Sequence, residues 1–338
     1  MTERIGWYVH HHGRGHLTRL TAIAPHVDAE IDCVSSLPEP ADLPSNCTWT
    51  TLPRDDDDLP DATSPAEADP TARGLLHWAP RGHPGHRARL ATIAAAIAAR
   101  PVSAFVVDVS VEVTLLVRLL GVPPVVLTQP GTRDDGPHRL GFAAAQTVIA
   151  PWPGELLAPP HLAGLGDRVV YTGGISRFED RMPDAGSTRG RDVVLLAGAG
   201  GTTVTAEDIA ATVAMSERPW RLLGATADSW RADPWPDLLT AGVVVSWAGQ
   251  NAVADLAAAG APAVVVPQTR PFGEQHETAR VLREADLAVV PGRWPDAGAW
   301  PELLDRAAAA RPAWEQWRVA GATRRAAAAI MQTARGER

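Results

Sequence analysis

Two runs of consecutive β-branched residues constrain the fold of this chain most strongly. Residues 243–245 and 264–266 are both all-valine runs, and an apolar run without alternation is typical of a strand buried on both faces of a parallel sheet. The segment between them opens at Gly249 and continues as an alanine-rich, helix-forming stretch. This block predicts a strand–helix–strand unit with ligands at the carboxyl ends of its strands.

Polar residues suited to a nucleotide sugar follow these two strands. Gly249 permits a sharp turn, after which backbone N–H groups can point at an anion. Asp255 lies one helical turn beyond Asn251 on the same side of the helix, where a carboxylate can accept hydrogen bonds from both hydroxyls of a ribose. Glu274 and Gln275 follow the second strand and are residue types that bind sugar hydroxyls. Diphosphate, ribose and sugar in chain order predict a nucleotide-sugar site.

This block resembles the donor-binding signature of GT-B glycosyltransferases, in both the MurG-like and the UDP-glycosyltransferase-like branches (a family 28 C-terminal-like donor domain). The resemblance adds Gln250 to the donor set and implies two Rossmann-like domains facing each other across a cleft. The chain departs from the signature at Asp255, where the family usually has Glu. It also has Trp247 where plant-type enzymes have a phosphate-binding His, so Trp247 is expected beside the donor.

Length and composition limit the class of protein. The 338 residues suit two domains, and contents of 45% hydrophobic and 21% charged residues are globular values. A net charge of −8 argues against a nucleic-acid partner. No apolar run is long enough for a transmembrane segment, and the first residues lack a signal-peptide pattern. We therefore expect a cytoplasmic protein, of bacterial type by its resemblance.

The chain contains no lysine, so every basic residue of fixed charge is arginine. A Schiff-base mechanism needs a lysine amine, a Walker-type phosphate loop needs its Gly-Lys pair, and protein-kinase catalysis needs a strand lysine. These three chemistries are excluded. The two cysteines, Cys33 and Cys47, form neither a metal motif nor a disulfide framework.

Alternating strand-like and helix-like segments predict an α/β protein with two Rossmann-like units. The predicted domains are an acceptor domain over residues 1–155, a donor domain over 156–312, and a C-terminal helix over 313–338 that returns to the first domain. A strand near residue 169 is expected to begin the second domain. A long loop is expected over residues 54–81, which are rich in Asp, Pro and Ala.

A histidine in the first turn is the predicted catalytic base. Gly13 and Gly15 permit a close turn after the first strand, and His16 follows at the start of a helix. Gly-x-Gly-His is similar to the first loop of MurG-like enzymes, and the resemblance implies that His16 is the general base. Asp108 ends a buried strand and is its expected orienting partner, in the role that a carboxylate plays beside a catalytic imidazole. A plain helix N-cap remains an alternative for Asp108.

The spacing of the glycines, histidines and aspartates disfavours three other kinds of site. A dinucleotide-binding fingerprint fails because no third glycine follows at the required spacing. A metal on residues 10–12 is not expected, because consecutive strand residues point to opposite faces. The carboxylates of residues 55–58 are interpreted as a solvated turn, because adjacent side chains converge poorly on one ion.

Further candidates complete the predicted site. A glycine-rich turn after the strand at residues 193–196 can approach the diphosphate, and its candidate residues are Gly198, Gly200, Gly201, Thr202 and Thr203. Arg177 lies in a segment similar to a MurG-like Thr-Gly-Asn-Pro-Val-Arg motif, which implies contact with the donor phosphate or base. Candidates on acceptor-facing loops are His77, Trp78, His83, Asp134, Asp135 and His138.

Together these features predict a glycosyltransferase that moves a sugar from a UDP- or dTDP-linked donor to an acceptor hydroxyl, with inversion. The acceptor is not identified and is expected to be a small molecule, a lipid-linked compound or a cell-wall precursor. No cofactor or metal is expected, since the nucleotide sugar is a substrate and enzymes of this class hold the diphosphate with helix N-termini and side chains. The alternatives are a PseG-like nucleotide-sugar hydrolase, a non-hydrolysing sugar-nucleotide epimerase and a non-catalytic nucleotide-sugar sensor.

Overall fold

Two parallel β-sheets form the framework of the protein. The computed structural model describes residues 3–181, 188–198, 201–224, 229 and 231–337. The first sheet has the order β3-β2-β1-β4-β5-β6-β7 and the second the order β11-β10-β8-β9. Strands of the first sheet are β1 (Arg4–Tyr8), β2 (Glu30–Ser35), β3 (Cys47–Thr51), β4 (Ala104–Asp108), β5 (Pro124–Leu127), β6 (Thr147–Ala150) and β7 (Val169–Tyr171). Those of the second are β8 (Val193–Leu196), β9 (Trp220–Leu223), β10 (Val243–Trp247) and β11 (Ala263–Val266).

Helices connect most of the strands, as parallel pairing requires. In the first half they are α1 (Gly15–Ile23), α2 (Pro84–Ala99), α3 (Val111–Leu119), α4 (Gly136–Ala144) and α5 (Pro160–Ala163). In the second half they are α6 (Ala206–Met215), α7 (Trp235–Thr240), α8 (Gln250–Ala258), α9 (Glu274–Glu284), α10 (Trp300–Ala309) and α11 (Ala322–Ala334). The predicted α/β class and the two Rossmann-like sheets are confirmed.

The strand orders place the loops that follow particular strands side by side. In the first sheet β1 lies between β2 and β4, so the chain leaves the carboxyl ends of β1 and β4 in opposite directions. In the second sheet β8 lies between β9 and β10 in the same way. A position where the chain leaves two neighbouring strands in opposite directions is called a topological switch point. It leaves a crevice at the carboxyl edge of an open sheet, and ligands bind in that crevice.

The last helix packs on the first sheet rather than on the second. Ala322, Ala326 and Ile330 of α11 are fully buried in the same apolar cluster as Ile5 and Trp7 of β1. The C-terminal helix predicted over 313–338 is a short turn at Trp314–Trp317 followed by α11, and α10 precedes it as a separate helix. Proline at position 312 separates the pieces because it cannot continue a helix.

Two local predictions need correction. The strand near residue 169, expected to begin the second domain, is β7 and pairs with β6 at the edge of the first sheet. Residues 134–138, expected to be a loop, form the start of α4, whose N-cap is Asp135. The proposed domain boundaries stay a prediction.

Within the described residues, no helix has the length and apolar character needed to cross a membrane. The cytoplasmic location expected from the sequence stays a prediction.

We predict that Ile330→Ala destabilises the protein through the first core. Its side chain is fully buried, and truncating a buried isoleucine to alanine costs about 2–5 kcal/mol, because burial is lost and a cavity remains. Urea unfolding followed by tryptophan fluorescence measures the change. Leu119→Ala is the matched control, because Leu119 is 84% exposed and its truncation is expected to change stability by less than about 0.5 kcal/mol. Equal effects of the two substitutions would contradict the packing of α11.

Candidate active site at the switch points

A histidine–aspartate pair lies at the switch point of the first sheet. His16 is at the start of α1, which follows β1, and Asp108 is the last residue of β4. Because β1 and β4 are parallel neighbours, both residues reach the same edge, and His16 Nδ1 lies 2.9 Å from Asp108 Oδ1. The two residues predicted as base and partner are therefore brought together.

The electrostatic surroundings keep Asp108 ionised. Burial of this fully buried carboxyl would raise its pKa, but the positive charge of Arg19 and the contact with His16 outweigh burial and lower the pKa below the usual value. Arg19 Nε lies 3.6 Å from Asp108 Oδ2. A carboxylate facing Nδ1 favours the tautomer with the proton on Nδ1, which leaves the lone pair on Nε2. His16 can therefore accept a proton through Nε2.

The turn after Asp108 is strained. Val109 has a φ of 69°, a left-handed conformation that is costly for a β-branched residue. The next residue, Ser110, caps α3 by accepting a hydrogen bond from the Val113 N–H at 3.2 Å. The helix cap is thus Ser110, and Asp108 is not the plain N-cap considered from the sequence. Backbone strain of this kind is concentrated at functional sites.

The turn after β10, predicted to bind the donor, contacts the turn that carries His16. Gly249 precedes α8, and Asn251 Nδ2 donates a hydrogen bond to the Gly15 carbonyl oxygen at 2.9 Å. A β-carbon on Gly15 would lie 3.5 Å from the same nitrogen. Gln250 has buried amide atoms that find no hydrogen-bond partner in the described part of the chain. A buried, unpartnered amide calls for an explanation, such as a ligand group that it would bind.

Asp255 is buried behind this turn. Its Oδ1 accepts a hydrogen bond from the Ser176 hydroxyl at 2.6 Å, and its Oδ2 lies 3.6 Å from Arg177 Nε. Burial raises the pKa of Asp255 to about 6, against the opposing effects of Arg177 and Ser176. Arg177 also donates a hydrogen bond to the Ala232 carbonyl oxygen at 3.0 Å. Both predicted residues lie together, with Arg177 beside the carboxylate.

A buried glutamine connects the other predicted donor elements. Gln268 follows β11, and its backbone N–H donates to Gln275 Oε1 at 2.9 Å. Its own Oε1 accepts from the Thr202 hydroxyl at 3.0 Å and from the Thr203 N–H at 3.2 Å. The glycine-rich turn is therefore tied to the turn that follows β11. Gly198 and Gly201 are exposed, whereas Gly200 lies outside the described residues.

The segment before α9 crosses to the first half of the protein. The Thr132 N–H donates to the Phe272 carbonyl oxygen at 2.8 Å, and a β-carbon on Gly131 would lie 2.2 Å from that oxygen. Phe272 has a φ of 60°. Glu274 Oε2 lies 3.7 Å from Arg133 Nη2. Burial raises the pKa of Glu274, and the neighbouring Arg133 and His16 act in the opposite direction.

The acceptor-side candidates divide into a connected group and separate residues. His77 Nε2 and His138 Nδ1 lie 3.2 Å and 2.9 Å from the carboxylate oxygens of Asp135, and Phe272 packs on both rings. Trp78 instead donates its indole N–H to the backbone of the long loop, and Asp134 is exposed.

Three other residues that were predicted to lie at the site instead support the fold around it. Trp247 does not line the cleft; it is 4% exposed and packs in the core beside Trp294, with ring centroids 5.7 Å apart, because β10 is buried on both faces. His83 caps α2 by accepting from the His86 N–H at 3.1 Å. Gly13 has a φ of 73°, which turns the chain into α1.

Four residues at the site were not predicted from the sequence. Arg19 pairs with Asp108, and Ser176 donates a hydrogen bond to Asp255. Gln268 accepts hydrogen bonds from the glycine-rich turn. Glu112 accepts a hydrogen bond from the backbone N–H of His77 at 2.8 Å. Arg19 carried a weak signal, because it follows His16 at helical spacing and so lies near it. The other three have no motif that distinguishes them from ordinary polar residues.

The raised pKa of Asp255 predicts a specific pH dependence of stability. Because the pKa lies at about 6 in the folded protein and at 3.8 ordinarily, folding disfavours the charged form. The contribution of the protonated Asp255 carboxyl to the unfolding free energy is complete below pH 4 and is lost as pH rises through 6. Relative to wild type, the unfolding free energy of Asp255→Asn is therefore expected to increase between pH 4 and 7 by about 3 kcal/mol, at ~1.4 kcal/mol per pKa unit.

Urea unfolding of both proteins across this pH range measures the difference. Asp305→Asn, at an exposed carboxylate paired with Arg218, is the control and should show no such change. A difference that stays constant with pH would contradict the raised pKa.

Comparisons with known proteins agree with this architecture. Residues 235–291 match the glycosyltransferase family 28 C-terminal domain, and these residues run from α7 through β10, α8 and β11 to the end of α9. No curated protein sequence matches the chain. The likeness of the whole chain is therefore a likeness of structure.

Solved structures resemble the chain over nearly its full length. The glycotransferase of kitacinnamycin has a TM-score of 0.69 at 15% identity, covering 98% of this chain and 99% of its own. MurG of Acinetobacter baumannii has a TM-score of 0.63 at 15% identity, covering 98% and 99%. The spinosyn rhamnosyltransferase SpnG, complexed with thymidine diphosphate, has a TM-score of 0.60 at 17% identity, covering 98% and 95%.

At these identities the structural likeness establishes the fold alone. The chain has the GT-B fold of glycosyltransferases, and within it residues 235–291 match the glycosyltransferase family 28 C-terminal domain.

Proposed function

We propose that this protein transfers a sugar from a nucleotide diphosphate sugar to an acceptor hydroxyl, with inversion, and that His16 is the general base. The observation that carries the proposal is the pairing of His16 with the buried Asp108 at the edge that meets the donor turn. A single displacement needs a base beside the acceptor hydroxyl and groups that hold the diphosphate of the donor, on opposite sides of the anomeric carbon.

In the proposed reaction His16 Nε2 takes the proton of the acceptor hydroxyl as its oxygen attacks the anomeric carbon. The bond from that carbon to the diphosphate breaks, and the nucleotide diphosphate leaves with the electron pair. Asp108 stabilises the imidazolium that forms, because its own pKa is held low. A single attack from the side opposite the leaving group inverts the anomeric carbon.

The second half supplies groups suited to the donor. Gly249 has no side chain to cap α8, so the first N–H groups of that helix are available to the leaving diphosphate. Gln250 has an unpartnered buried amide at the same turn. We propose that these groups, with Thr202 and Thr203, stabilise the diphosphate, and that Glu274 and Gln275 face the sugar.

A uridine or thymidine diphosphate donor is proposed. The resemblance of the donor block favours UDP, and the structural neighbour SpnG was solved with thymidine diphosphate. Asp255 is the proposed ribose acceptor, in which case ribose hydroxyls would take the place of the Ser176 hydroxyl on its carboxylate. The acceptor is proposed to be a small molecule bound by loops of the first half, as the kitacinnamycin neighbour suggests.

Removing the base is expected to slow turnover and to spare donor binding. His16→Ala should lower the rate of transfer by about 10²–10⁴-fold, the usual contribution of a general base, while calorimetry shows unchanged affinity for UDP and dTDP. The rate is measured as nucleotide diphosphate release from a panel of sugar donors with hydroxyl acceptors.

His26→Ala is the control for this experiment, because His26 lies just beyond the far end of α1 and its Nε2 is 3.9 Å from Asp180. A wild-type rate for His16→Ala would remove the base assignment. Equally fast release from wild type without any acceptor would indicate a hydrolase instead of a transferase.

The ribose assignment predicts different losses for two nucleotides. Asp255→Asn should weaken UDP binding by about 10–100-fold, since a hydrogen bond to a charged group contributes about 1.5–3 kcal/mol. The loss for dTDP should be smaller, because its sugar lacks the 2′-hydroxyl. Titration calorimetry measures both affinities, with Asp305→Asn as the control. Equal losses for the two nucleotides would contradict contact with the 2′-hydroxyl.

A further inference from the structure

The imidazole of His11 is buried without a partner. Its side chain is 4% exposed, and neither ring nitrogen has a hydrogen-bond partner within the described part of the chain. Buried polar groups are nearly always satisfied by protein, water or an ion. This ring lies in the turn between β1 and α1, and the ring of His10 lies between it and His16, with centroid distances of 5.1 Å and 5.5 Å.

Two further ligand-type side chains surround the His11 ring. His11 Nε2 lies 3.6 Å from Asp56 Oδ2, and His12 Nε2 lies 4.0 Å from the same oxygen. The candidate ligand atoms of His11, His12 and Asp56 are all within 4.8 Å of one another. Bonds of about 2.0–2.2 Å to a tetrahedral ion place ligand atoms roughly 3.4 Å apart. The three side chains therefore need to close by at most about 1.4 Å, the difference between 4.8 Å and this separation.

The turn geometry removes the reason for which a metal was not expected here. β1 ends at Tyr8, so His11 and His12 lie beyond the strand and its alternation of faces does not apply. Their ring centroids are 4.4 Å apart. Asp56 comes from the segment after β3, so the carboxylate meets the imidazoles from a different part of the chain.

Two carboxylates face the His11 ring. Asp55 Oδ1 lies 4.0 Å from His11 Nε2, beside the closer Asp56. Each carboxylate is also paired with an arginine. Arg89 pairs with Asp55, and Arg54 donates to both oxygens of Asp56, from Nε to Oδ1 at 2.9 Å and from Nη2 to Oδ2 at 2.5 Å. A cation at this position would therefore share Asp56 with Arg54.

A second group of two histidines and one aspartate differs from this one, because protein groups contact its ring nitrogens. Among the described residues, His77, Asp135 and His138 also bring their ligand atoms together. There His138 Nε2 lies 3.0 Å from Arg133 Nη1, and its Nδ1 lies 2.9 Å from Asp135. Both nitrogens of His138 are engaged by protein, whereas both nitrogens of His11 are unpartnered.

We propose that His11, His12 and Asp56 bind a divalent transition-metal ion of the zinc type, with the fourth coordination position open. Imidazole nitrogens select such ions over magnesium and calcium. The ion would join the turn that precedes His16 to the segment after β3, near the start of the long loop predicted over residues 54–81. It is separate from the proposed transfer step, which has its own base and donor groups.

The test is a titration of the untagged, full-length protein with Co²⁺, followed by visible absorption. One equivalent should bind with the intense bands of low-coordinate cobalt, and Zn²⁺ should displace it. His12→Ala and Asp56→Asn should each weaken binding by at least about ten-fold, because even changes outside the ligand set weaken metal sites by ~10–100-fold. The His12 side chain is 71% exposed, so its removal leaves the core untouched.

Two control variants separate this site from other histidines. His77→Ala removes one imidazole of the second group, and His26→Ala removes one beside Asp180; both should bind Co²⁺ as wild type does. Circular dichroism confirms that each variant is folded. Absence of bound cobalt in wild type, unchanged binding in His12→Ala and Asp56→Asn, or loss of binding in His77→Ala would each overturn the proposal.

Discussion

The parallel pairing of β1 with β4 is the constraint on which the candidate site depends. It brings the turn after β1 and the end of β4 to one edge, so that His16 and Asp108 meet although the chain between them spans two other strands and a helix. Asp108 is fully buried and would be costly to ionise alone. Arg19 supplies the compensating charge, and His16 faces the carboxylate through Nδ1. The strained turn at Val109 is kept by the packing on either side.

The donor half depends on the same arrangement in its own sheet. β8 and β10 are neighbours, so the glycine-rich turn and the turn at Gly249 reach one edge. Gln268 then joins the first of these turns to the end of β11. Contacts from Asn251 to Gly15 and from Thr132 to Phe272 connect the two edges. The turn at Gly249 is therefore joined by a hydrogen bond to the turn that carries His16.

The sequence was sufficient for features that depend on local pattern. Valine runs identified the buried strands, and glycine turns after them identified the loops that carry His16 and Asn251. Local sequence pattern was insufficient to predict features that depend on pairing between distant segments. The three-residue strand β7, for example, belongs to the first sheet because it pairs with β6. Trp247 looked like a cleft residue from its place in a motif, but its strand is buried on both faces. Ser176 and Gln268 act through partners distant in sequence, which no local signal reveals.

The return of α11 to the first sheet has a consequence for synthesis. The apolar cluster behind β1 includes residues from both ends of the chain, Ile5 and Ile330 among them. On the ribosome, the leading half would emerge with that face of its sheet uncovered, and the closing contacts would form only after the trailing half had been made. Contacts this distant in sequence slow folding, and apolar surface left open meanwhile favours aggregation. The nascent first sheet is thus a natural client for chaperones that shield apolar surface.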